Sequence, residues 1–346
     1  MGENLDAQFV ANYEFHKEAS SFNPKVAASW RFSDSNVHSL DLRGSVQTTF
    51  RTPSVDDLNT DLRTTLEYLD PVGVYKAIDA YGSTDLKPEE AFTYNVGVVL
   101  VADPNIEVTF DYWHYDFKNV IATLPQNDVV RLYGEGYNGD EKKLNAVKDR
   151  ISCPGNVADG SCVPGDIERV RIDLINWPGV QTSGFDWHIG TRFNAGEGQL
   201  SASLDGTYTR EYYMKELRID GIEYRAALDG AGYYNRTHPL ASPIPQWKWR
   251  GSAGYHWGNY SLVNYVNYIS AYEDRDVWTL DGRIDPFLTY DVNFVWHLPK
   301  MNITFSALNM TGKAPPLVDF ELGFDGLTHD PKGRQLKLAV TYQLGR

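Results

Sequence analysis

Apolar and polar residues alternate along much of this chain, in stretches separated by links that are by turns short and long. Near the C-terminus, Leu336, Leu338 and Val340 occupy every second position, and polar or small residues lie between them. Side chains on a β-strand point to opposite faces with a period of two, so such a stretch predicts a strand with one apolar and one polar face. The pattern therefore predicts an all-β fold.

Twelve stretches of this kind predict an antiparallel meander of about twelve strands, and neither a linker nor a helical periodicity of useful length divides them. The predicted strands lie near residues 5–14, 24–32, 38–50, 89–101, 105–117, 179–193, 199–213, 246–257, 259–270, 286–297, 301–310 and 335–344. We expect residues 1–346 to form a single transmembrane β-barrel segment.

The links between the predicted strands differ in length at the two ends of the sheet. Short turns are predicted at 33–37, 102–104, 194–198, 258 and 298–300, and long loops near 51–88, 118–178, 214–245, 271–285 and 311–334, with 15–23 the short exception among the latter. Loops this long are uncommon in compact soluble domains. Short turns at one rim and long extracellular loops at the other are typical of bacterial outer-membrane barrels.

Aromatic residues on the apolar face concentrate near both ends of the predicted strands. Those beside the short turns are Trp30, Phe32, Phe193, Trp257, Tyr260 and Trp296, and those at the opposite ends are Tyr13, Phe50, Phe92, Tyr94, Phe185, Trp187, Trp247, Trp249, Tyr268 and Tyr290. A general preference of aromatic residues for strands explains their number but not this placement. Two bands of rings are typical of the aromatic girdles of a membrane barrel.

Composition narrows the classes of function. No apolar run approaches the roughly 18 residues of a membrane helix, but a barrel strand needs only about ten alternating residues. The net charge of −14 argues against nucleic acid as a partner. The residues after Met1 do not form a basic and apolar leader, so an exported barrel would be processed or part of a longer chain.

The two cysteines, Cys153 and Cys162, lie nine positions apart in the longest predicted loop. This spacing in a polar loop favours a local disulfide, which requires an oxidising compartment, over free thiols. A lone pair of cysteines provides too few ligands for a zinc site, and we predict no metal.

No catalytic pattern is present, and we predict that the chain is not an enzyme and has no cofactor. The eight histidines are scattered, and motifs for a nucleophilic serine, a zinc protease or a phosphate loop are missing from the sequence. A lone strand histidine such as His114 or His188 is far more often structural than a ligand.

Candidate ligand-binding residues lie in the predicted loops and at the long-loop ends of strands, where aromatic surface and a few polar groups coincide. They are Trp113, Tyr115, Arg131, Tyr133, Tyr137, Arg210, Tyr212, Tyr213, Tyr233 and Tyr234, and Arg225 is a further arginine suited to an anionic group. The alternative is that these residues only pack loop against loop.

Five segments, in order along the chain, resemble motifs of the TonB-dependent outer-membrane receptors. Residues 50–54 resemble F-R-x-P-S, and 86–97 resemble L-K-P-E…Y-E-x-G. Residues 180–186 resemble G-V-x-T-S-G-x-D, 307–316 resemble N-N-L-F-D-K-x-P-P, and 330–334 resemble D-P-R-G-R. Together they place the chain as similar to the C-terminal half of such a receptor.

The resemblance implies the last twelve strands of a barrel of twenty-two. It implies a function in energy-coupled uptake of a scarce solute, such as a siderophore–iron complex, in the bacterial outer membrane. The implied partners are outer-membrane lipid and lipopolysaccharide, a small-molecule or oligosaccharide ligand, and the TonB complex through a plug domain that no segment here resembles. The terminal residues Leu344-Gly345-Arg346 also lack the family's usual final aromatic residue.

Three alternatives remain open at this point. One is an oligosaccharide-uptake receptor of the same family. Another is a truncated or split barrel segment without transport of its own, in which unpaired edge strands would be costly within lipid unless the twelve strands closed into a smaller barrel. The third is a soluble carbohydrate-binding sandwich, which would bury its aromatic faces against each other.

Overall fold

Twelve long strands pair as neighbours in chain order and form one antiparallel sheet, which we call the wall. The computed structural model describes residues 4–15, 20–35, 38–155, 157, 160–276, 281–320 and 322–344. Within them the wall strands are β1 (Asn4–Phe15), β2 (Ser20–Ser35), β3 (His38–Arg51), β6 (Glu89–Asp103), β7 (Ile106–Thr123), β9 (Arg169–Ala195), β10 (Gly198–Met214), β14 (Trp247–Trp257), β15 (Tyr260–Ile269), β18 (Phe287–Leu298), β19 (Met301–Leu308) and β20 (Gln335–Tyr342). The predicted meander of about twelve strands is confirmed.

The strand register brings the apolar residues of successive strands to one face of the wall. Trp257 pairs with Tyr260, which in turn pairs with Trp296 on the next strand. Directly paired residues share a face, so the apolar face continues from strand to strand. Its large side chains are exposed, with Phe9 69% and Leu338 71% accessible. The apolar face is therefore not the interior of a sandwich formed by the described residues.

Tight turns join alternate strand pairs at one rim, as predicted. The connections described are Pro104–Asn105, Gly196–Glu197, Gly258–Asn259 and Pro299–Lys300. Gly196 and Gly258 have φ values of 58° and 50°, a region that glycine adopts without the steric cost of a Cβ atom. Within the predicted links 33–37, 15–23 and 271–285, residues 36–37, 16–19 and 277–280 lie outside the described residues.

The opposite rim carries additional secondary structure within the long connections. The short strands are β4 (Arg63–Leu69), β5 (Val74–Tyr81), β8 (Ile151–Ser152), β11 (Leu217–Ile219), β12 (Ile222–Arg225), β13 (Leu228–Asp229), β16 (Tyr272–Glu273) and β17 (Arg283–Ile284). The helices are α1 (Val55–Leu58), α2 (Gln126–Tyr137) and α3 (Glu141–Val147), with 3₁₀ turns at Lys148–Arg150 and Pro164–Asp166. No helix among the described residues is long and apolar enough to cross a membrane.

The described residues within 63–81, 120–177 and 217–225 pack together above this rim, and we call this unit the cap. Its side chains form a buried core that includes Leu69, Val129, Tyr133 and Trp177, each fully inaccessible to solvent. Strand β5 joins the cap to the wall because it pairs in parallel with the first residues of β9. The cap is therefore organised around a core of its own.

Two features of the cap differ from the sequence expectations. The sequence shows no helical periodicity of useful length, yet α2 spans twelve residues and buries Val129, Val130 and Tyr133 on one side. Strands β7 and β9 also extend into the predicted loop 118–178, since their pairing continues past an irregular step at Asn119 and Gly179. Both residues have positive φ values, 54° and 146°.

A second, smaller cluster fixes the connections that follow β10, β15 and β19. It contains Tyr234, Tyr272, Ile284 and Val318, all buried. The Tyr272 hydroxyl donates a 2.6 Å hydrogen bond to Asp325, which holds the connection before β20 against β16.

Candidate functional site

A row of three aromatic side chains lies on the polar face of β7, close to the long-loop rim. Trp113, Tyr115 and Phe117 are spaced by two residues and therefore share a face. The ring centroids of Trp113 and Tyr115 are 5.8 Å apart, and those of Tyr115 and Phe117 are 6.1 Å apart with nearly parallel planes. Farther from this rim, the same face of β7 carries Glu107, Thr109 and Asp111, so the row is a localised apolar surface.

The neighbouring strand makes room for this row. Gly184 on β9 pairs directly with Trp113, and a Cβ atom at position 184 would collide with the indole ring and with the Tyr208 carbonyl oxygen. Glycine is therefore required here for the close approach of a large ring to the strand backbone.

A cavity of about 460 Å³ lies over the aromatic row. It is lined by Trp113, Tyr115, Phe117, Thr182, Asp186 and Thr207. The Asp186 carboxylate accepts a 2.7 Å hydrogen bond from the Thr207 hydroxyl. Apolar rings beside a few oriented polar groups are the usual composition of a small-molecule site.

A second cavity of about 560 Å³ continues from Phe117 toward the loops and is lined by Glu89, Val120, Tyr212 and residues 239–242, among others. The Tyr212 hydroxyl donates a 2.7 Å hydrogen bond to the Leu240 carbonyl oxygen. This bond holds the connection before β14 across the mouth of the cavity. Of the predicted site residues, the structure thus brings Trp113, Tyr115 and Tyr212 to one region.

Three other predicted site residues lie on α2, inside the cap. Tyr133 is fully buried and donates a 2.6 Å hydrogen bond to the Cys162 carbonyl oxygen. Arg131 donates to Glu135 and to the Tyr224 carbonyl oxygen, each at 2.6 Å. Tyr137 is exposed at the end of the helix. The structure joins Cys153 and Cys162 in a disulfide beneath this helix.

The remaining predicted residues are distributed over the rim. Arg210 is exposed at a bulge of β10, and Tyr213 lies where β10 pairs with β13. The Arg275 guanidinium stacks 3.1 Å from the centroid of the Tyr233 ring, whereas Tyr234 belongs to the second cluster. That these residues contact a ligand stays a prediction.

Arginines near the candidate site are paired with carboxylates. On the polar face, Arg43 binds Asp111 at 2.6 Å and Arg51 binds Glu89 at 2.5 Å. Arg225 binds Asp128 at 2.6 Å and also donates to the Thr237 carbonyl oxygen. These pairs neutralise positive charge that an anionic ligand would otherwise meet.

Burial shifts the pKa values of two side chains, Tyr272 of the second cluster and His329, whose ring stacks against it. Burial raises the pKa of Tyr272, and its hydrogen bond to Asp325 adds to the rise. Burial also lowers the pKa of His329, whose Nε2 atom lies 3.1 Å from the same hydroxyl. Both groups are therefore neutral at pH 7. The hydrogen bonds of Tyr272 with Asp325 and His329 hold the connection before β20 in place.

Among the described residues, no group of three or more His, Cys, Asp or Glu side chains is placed to hold a metal ion.

Sequence reasoning missed Phe117, Thr182, Asp186 and Thr207 in the cavity over the aromatic row, which we call the wall cavity. Phe117 had a usable signal, because it follows Trp113 and Tyr115 at the same period of two. The other three come from β9 and β10, and their proximity depends on a register that the sequence does not reveal.

The antiparallel sheet has tight turns at one rim and long connections at the other. This is the architecture of part of an outer-membrane barrel. The family model described as TonB dependent receptor-like, beta-barrel matches residues 2–310. The chain belongs to this family, whose members are found in the bacterial outer membrane and are transport receptors rather than enzymes.

Solved structures share the fold at low sequence identity. A mutant of the ferric enterobactin receptor PfeA from Pseudomonas aeruginosa, in complex with enterobactin, has 12% identity and a TM-score of 0.64, covering 98% of this chain and 43% of that one. The siderophore receptor PirA from Acinetobacter baumannii has 13% identity and a TM-score of 0.60, with coverages of 98% and 43%.

The FrpB iron transporter from Neisseria meningitidis has 15% identity and a TM-score of 0.51, with coverages of 94% and 39%. The chain thus spans less than half the length of these structures. No curated protein sequence matches it.

Proposed function

We propose that this chain supplies about half of the barrel wall, and several ligand-contacting loops, of a TonB-dependent receptor that takes up a scarce solute across the bacterial outer membrane. The apolar face of the wall lies against lipid, and the long-loop rim and the cap are extracellular. Coupling to the TonB complex would pass through a plug domain supplied outside the matched segment.

The aromatic row on the polar face is the observation that carries this proposal. In a barrel the polar face lines the lumen. Trp113, Tyr115 and Phe117 place an apolar ligand-sized surface there, beneath the long loops and beside Asp186.

Two solute classes follow from the comparisons and the residues. The structural neighbours include receptors described as siderophore or ferric enterobactin receptors, which makes a siderophore–iron complex the first candidate. An oligosaccharide is the second candidate, because the arginines of the polar face named above are already paired with carboxylates. Both classes present rings or hydroxyl groups that aromatic surfaces bind.

The experiment compares two tyrosines of β7 that lie on opposite faces of the wall. In the full-length receptor, Tyr115→Ala should weaken solute binding about tenfold, since it removes ring surface from the cavity. Tyr112→Ala is the matched control, because Tyr112 lies on the apolar face against Phe185. Binding is measured by titration of the purified receptor and uptake by solute-dependent growth.

Equal effects of the two variants on binding would contradict the assignment of the polar face as the ligand route. A full-length receptor that binds no solute and shows no uptake phenotype would contradict the proposed function itself. Gel mobility with and without heating shows whether each variant still forms a resistant barrel.

A further inference from the structure

A third cavity lies in a different place, between the cap and the connections that follow β10 and β19. Its volume is about 760 Å³, and we call it the cap cavity. Its walls come from four segments: 66–75 of the β4–β5 hairpin, 123–127 at the start of α2, 236–239, and Phe320. It shares no lining residue with the wall cavity over Trp113 and Tyr115.

The apolar part of this cavity is formed by aromatic rings. Tyr68 and Tyr75 lie across the hairpin from one another with ring centroids 5.3 Å apart, edge to face. Phe320 forms the opposite side, beneath the Arg236 guanidinium at 5.3 Å. Rings of this kind pack against the C–H faces of a ring-shaped ligand.

The polar part contains an acceptor and a donor that the described residues do not satisfy. The Asn127 amide nitrogen donates a 2.6 Å hydrogen bond to Asp70, while its Oδ1 atom is buried without a partner among the described residues. His238 is 5% exposed, and its Nδ1 atom accepts from the Leu240 backbone N–H, which places the proton of the neutral ring on Nε2. Within the same described part of the chain, that Nε2 atom is also buried without a partner.

Both unsatisfied atoms belong to residues that line the cap cavity. A buried polar group without a partner costs about 1–3 kcal/mol, so a ligand that reaches it after a small side-chain adjustment gains affinity. One atom is an acceptor and the other a donor. A hydroxyl group both donates and accepts, so hydroxyl groups suit either atom.

The charge of the cap cavity decides between the candidate solutes. Glu67 and Asp70 bring two carboxylates to its wall. The Arg236 guanidinium, which is also in the wall, donates to the nearly buried Asp274 carboxylate at 3.2 Å and to the Asp276 carbonyl oxygen. An anionic ligand would meet two negative charges and a cation that is already paired, whereas a neutral ligand would not be repelled.

We propose that the cap cavity binds a neutral, hydroxyl-rich ligand of the sugar class. This rests on the proposed function, which it deepens by naming the solute class of the receptor. Vicinal hydroxyl groups donate to Asp70 and Glu67, further hydroxyl groups meet Asn127 and His238, and Tyr75 supports the ring.

The test is a binding titration of the full-length receptor in detergent. The probes are neutral hexasaccharides (glucose-, galactose- and N-acetylglucosamine-based) and a ferric tris-catecholate as the anionic counterpart. We expect at least one neutral probe to bind about tenfold more tightly than the anion. We expect Tyr75→Ala to weaken that binding about tenfold and Tyr75→Phe to retain most of it.

Val74→Ala is the matched control, because Val74 is the adjacent exposed residue and does not line the cavity. A Glu67→Lys variant tests the charge of the cap cavity. It replaces a carboxylate with a cation and should therefore strengthen binding of the ferric tris-catecholate. Glu67 and Tyr75 are both exposed on the hairpin, so we expect their variants to fold. Near-ultraviolet circular dichroism reports whether each variant is folded.

The outcomes separate this inference from the proposed function. The sugar-class assignment would be overturned if the anion bound more tightly than every neutral probe. It would also be overturned if no probe bound. If Tyr115→Ala abolishes uptake of a solute whose binding Tyr75→Ala leaves unchanged, the cap cavity is not its site, while the proposed function stands. If the neutral probe binds through Tyr75 but the receptor transports nothing, the cavity assignment stands and the uptake function fails.

Discussion

The wall and the cap use the same kinds of apolar residue in opposite ways. In the wall, leucine, valine and aromatic side chains such as Leu338 point away from the rest of the chain and are exposed. In the cap, Trp177, Leu132 and their neighbours are buried against one another. Burial of apolar surface away from water stabilises a cap of this kind, whereas the exposed apolar face of the wall suits the lipid that we propose it meets.

The two regions therefore depend on different environments. The cap is held as a small water-soluble domain is, by a core, a disulfide and ion pairs such as Arg169–Asp79, whose hydrogen bond lowers the pKa of Asp79. The wall is held by backbone pairing between neighbouring strands, and we propose that its exposed apolar face meets lipid. Mutations should consequently divide into those that damage one region and those that damage the other.

The largest effect is expected from Trp177→Ala. Trp177 is fully buried in the cap core, and its Nε1 donates a 2.8 Å hydrogen bond to the Lys215 carbonyl oxygen. Its loss should destabilise the cap by about 3–5 kcal/mol. Hydrogen exchange of the cap amides measures this, and Trp296→Ala on the apolar face is the control that should leave cap exchange unchanged. Equal exchange in the two variants would contradict a separate cap core.

The next effect concerns adjacent residues near the middle of β18. Val292 lies on the apolar face, and Asn293 lies on the polar face. Val292→Arg should cost about 2–4 kcal/mol if the apolar face meets lipid near the bilayer midplane, and Asn293→Arg should cost much less. Denaturant unfolding of the receptor in lipid vesicles measures both. Equal sensitivity of the two positions would reject the membrane register.

Removing the disulfide should have a moderate effect that is confined to the cap. Cys153 and Cys162 close a short loop, and the joint change Cys153→Ser with Cys162→Ser should destabilise the cap by about 2–3 kcal/mol through the entropy of the unfolded chain. Limited proteolysis between residues 120 and 177 should accelerate, while heat-dependent gel mobility stays the same. Loss of the mobility shift would show that the wall depends on the cap.

The smallest predicted effect is a dependence of loop stability on pH. Burial, with the nearby Arg225 charge, lowers the pKa of His238 from 6.5 to about 3. The unfolded chain therefore binds the proton first, so stability is complete above about pH 6.5 and falls as the pH drops toward 3. At pH 5.5 the loss is about 1 kcal/mol.

Hydrogen exchange of residues 230–245 at pH 7.5 and 5.5 measures this loss, and His238→Gln should remove much of the difference. A segment that is more stable at pH 5.5 than at 7.5 would contradict a neutral, buried His238.

The wall was predictable from the sequence because each strand carries its own evidence. A period of two, turn residues such as Gly258 at one rim, and aromatic residues near strand ends are local signals that recur along the chain. The family motifs agree with them. The strand bounds near the short turns accordingly differ by only a few residues from the prediction.

The cap was not predictable because its structure depends on contacts between distant segments. Helix α2 has two glycines, Gly134 and Gly136, which weaken a helical signal, and its stability comes from packing against the hairpin, β9 and β12. Tyr133 looked like a ligand-binding aromatic residue, yet it is in the core. The cap cavity likewise joins four separate segments, so no local pattern indicates it.

The central claim is that the two faces of the wall meet different solvents. Spin labels placed at successive single-cysteine positions 288–297 of the full-length receptor in lipid vesicles test it most directly. We predict that the even positions, including Val292, collide with oxygen dissolved in lipid, and that the odd positions, including Asn293, collide with a water-soluble nickel complex. Accessibility without a period of two, or water contact on both faces, would contradict the account.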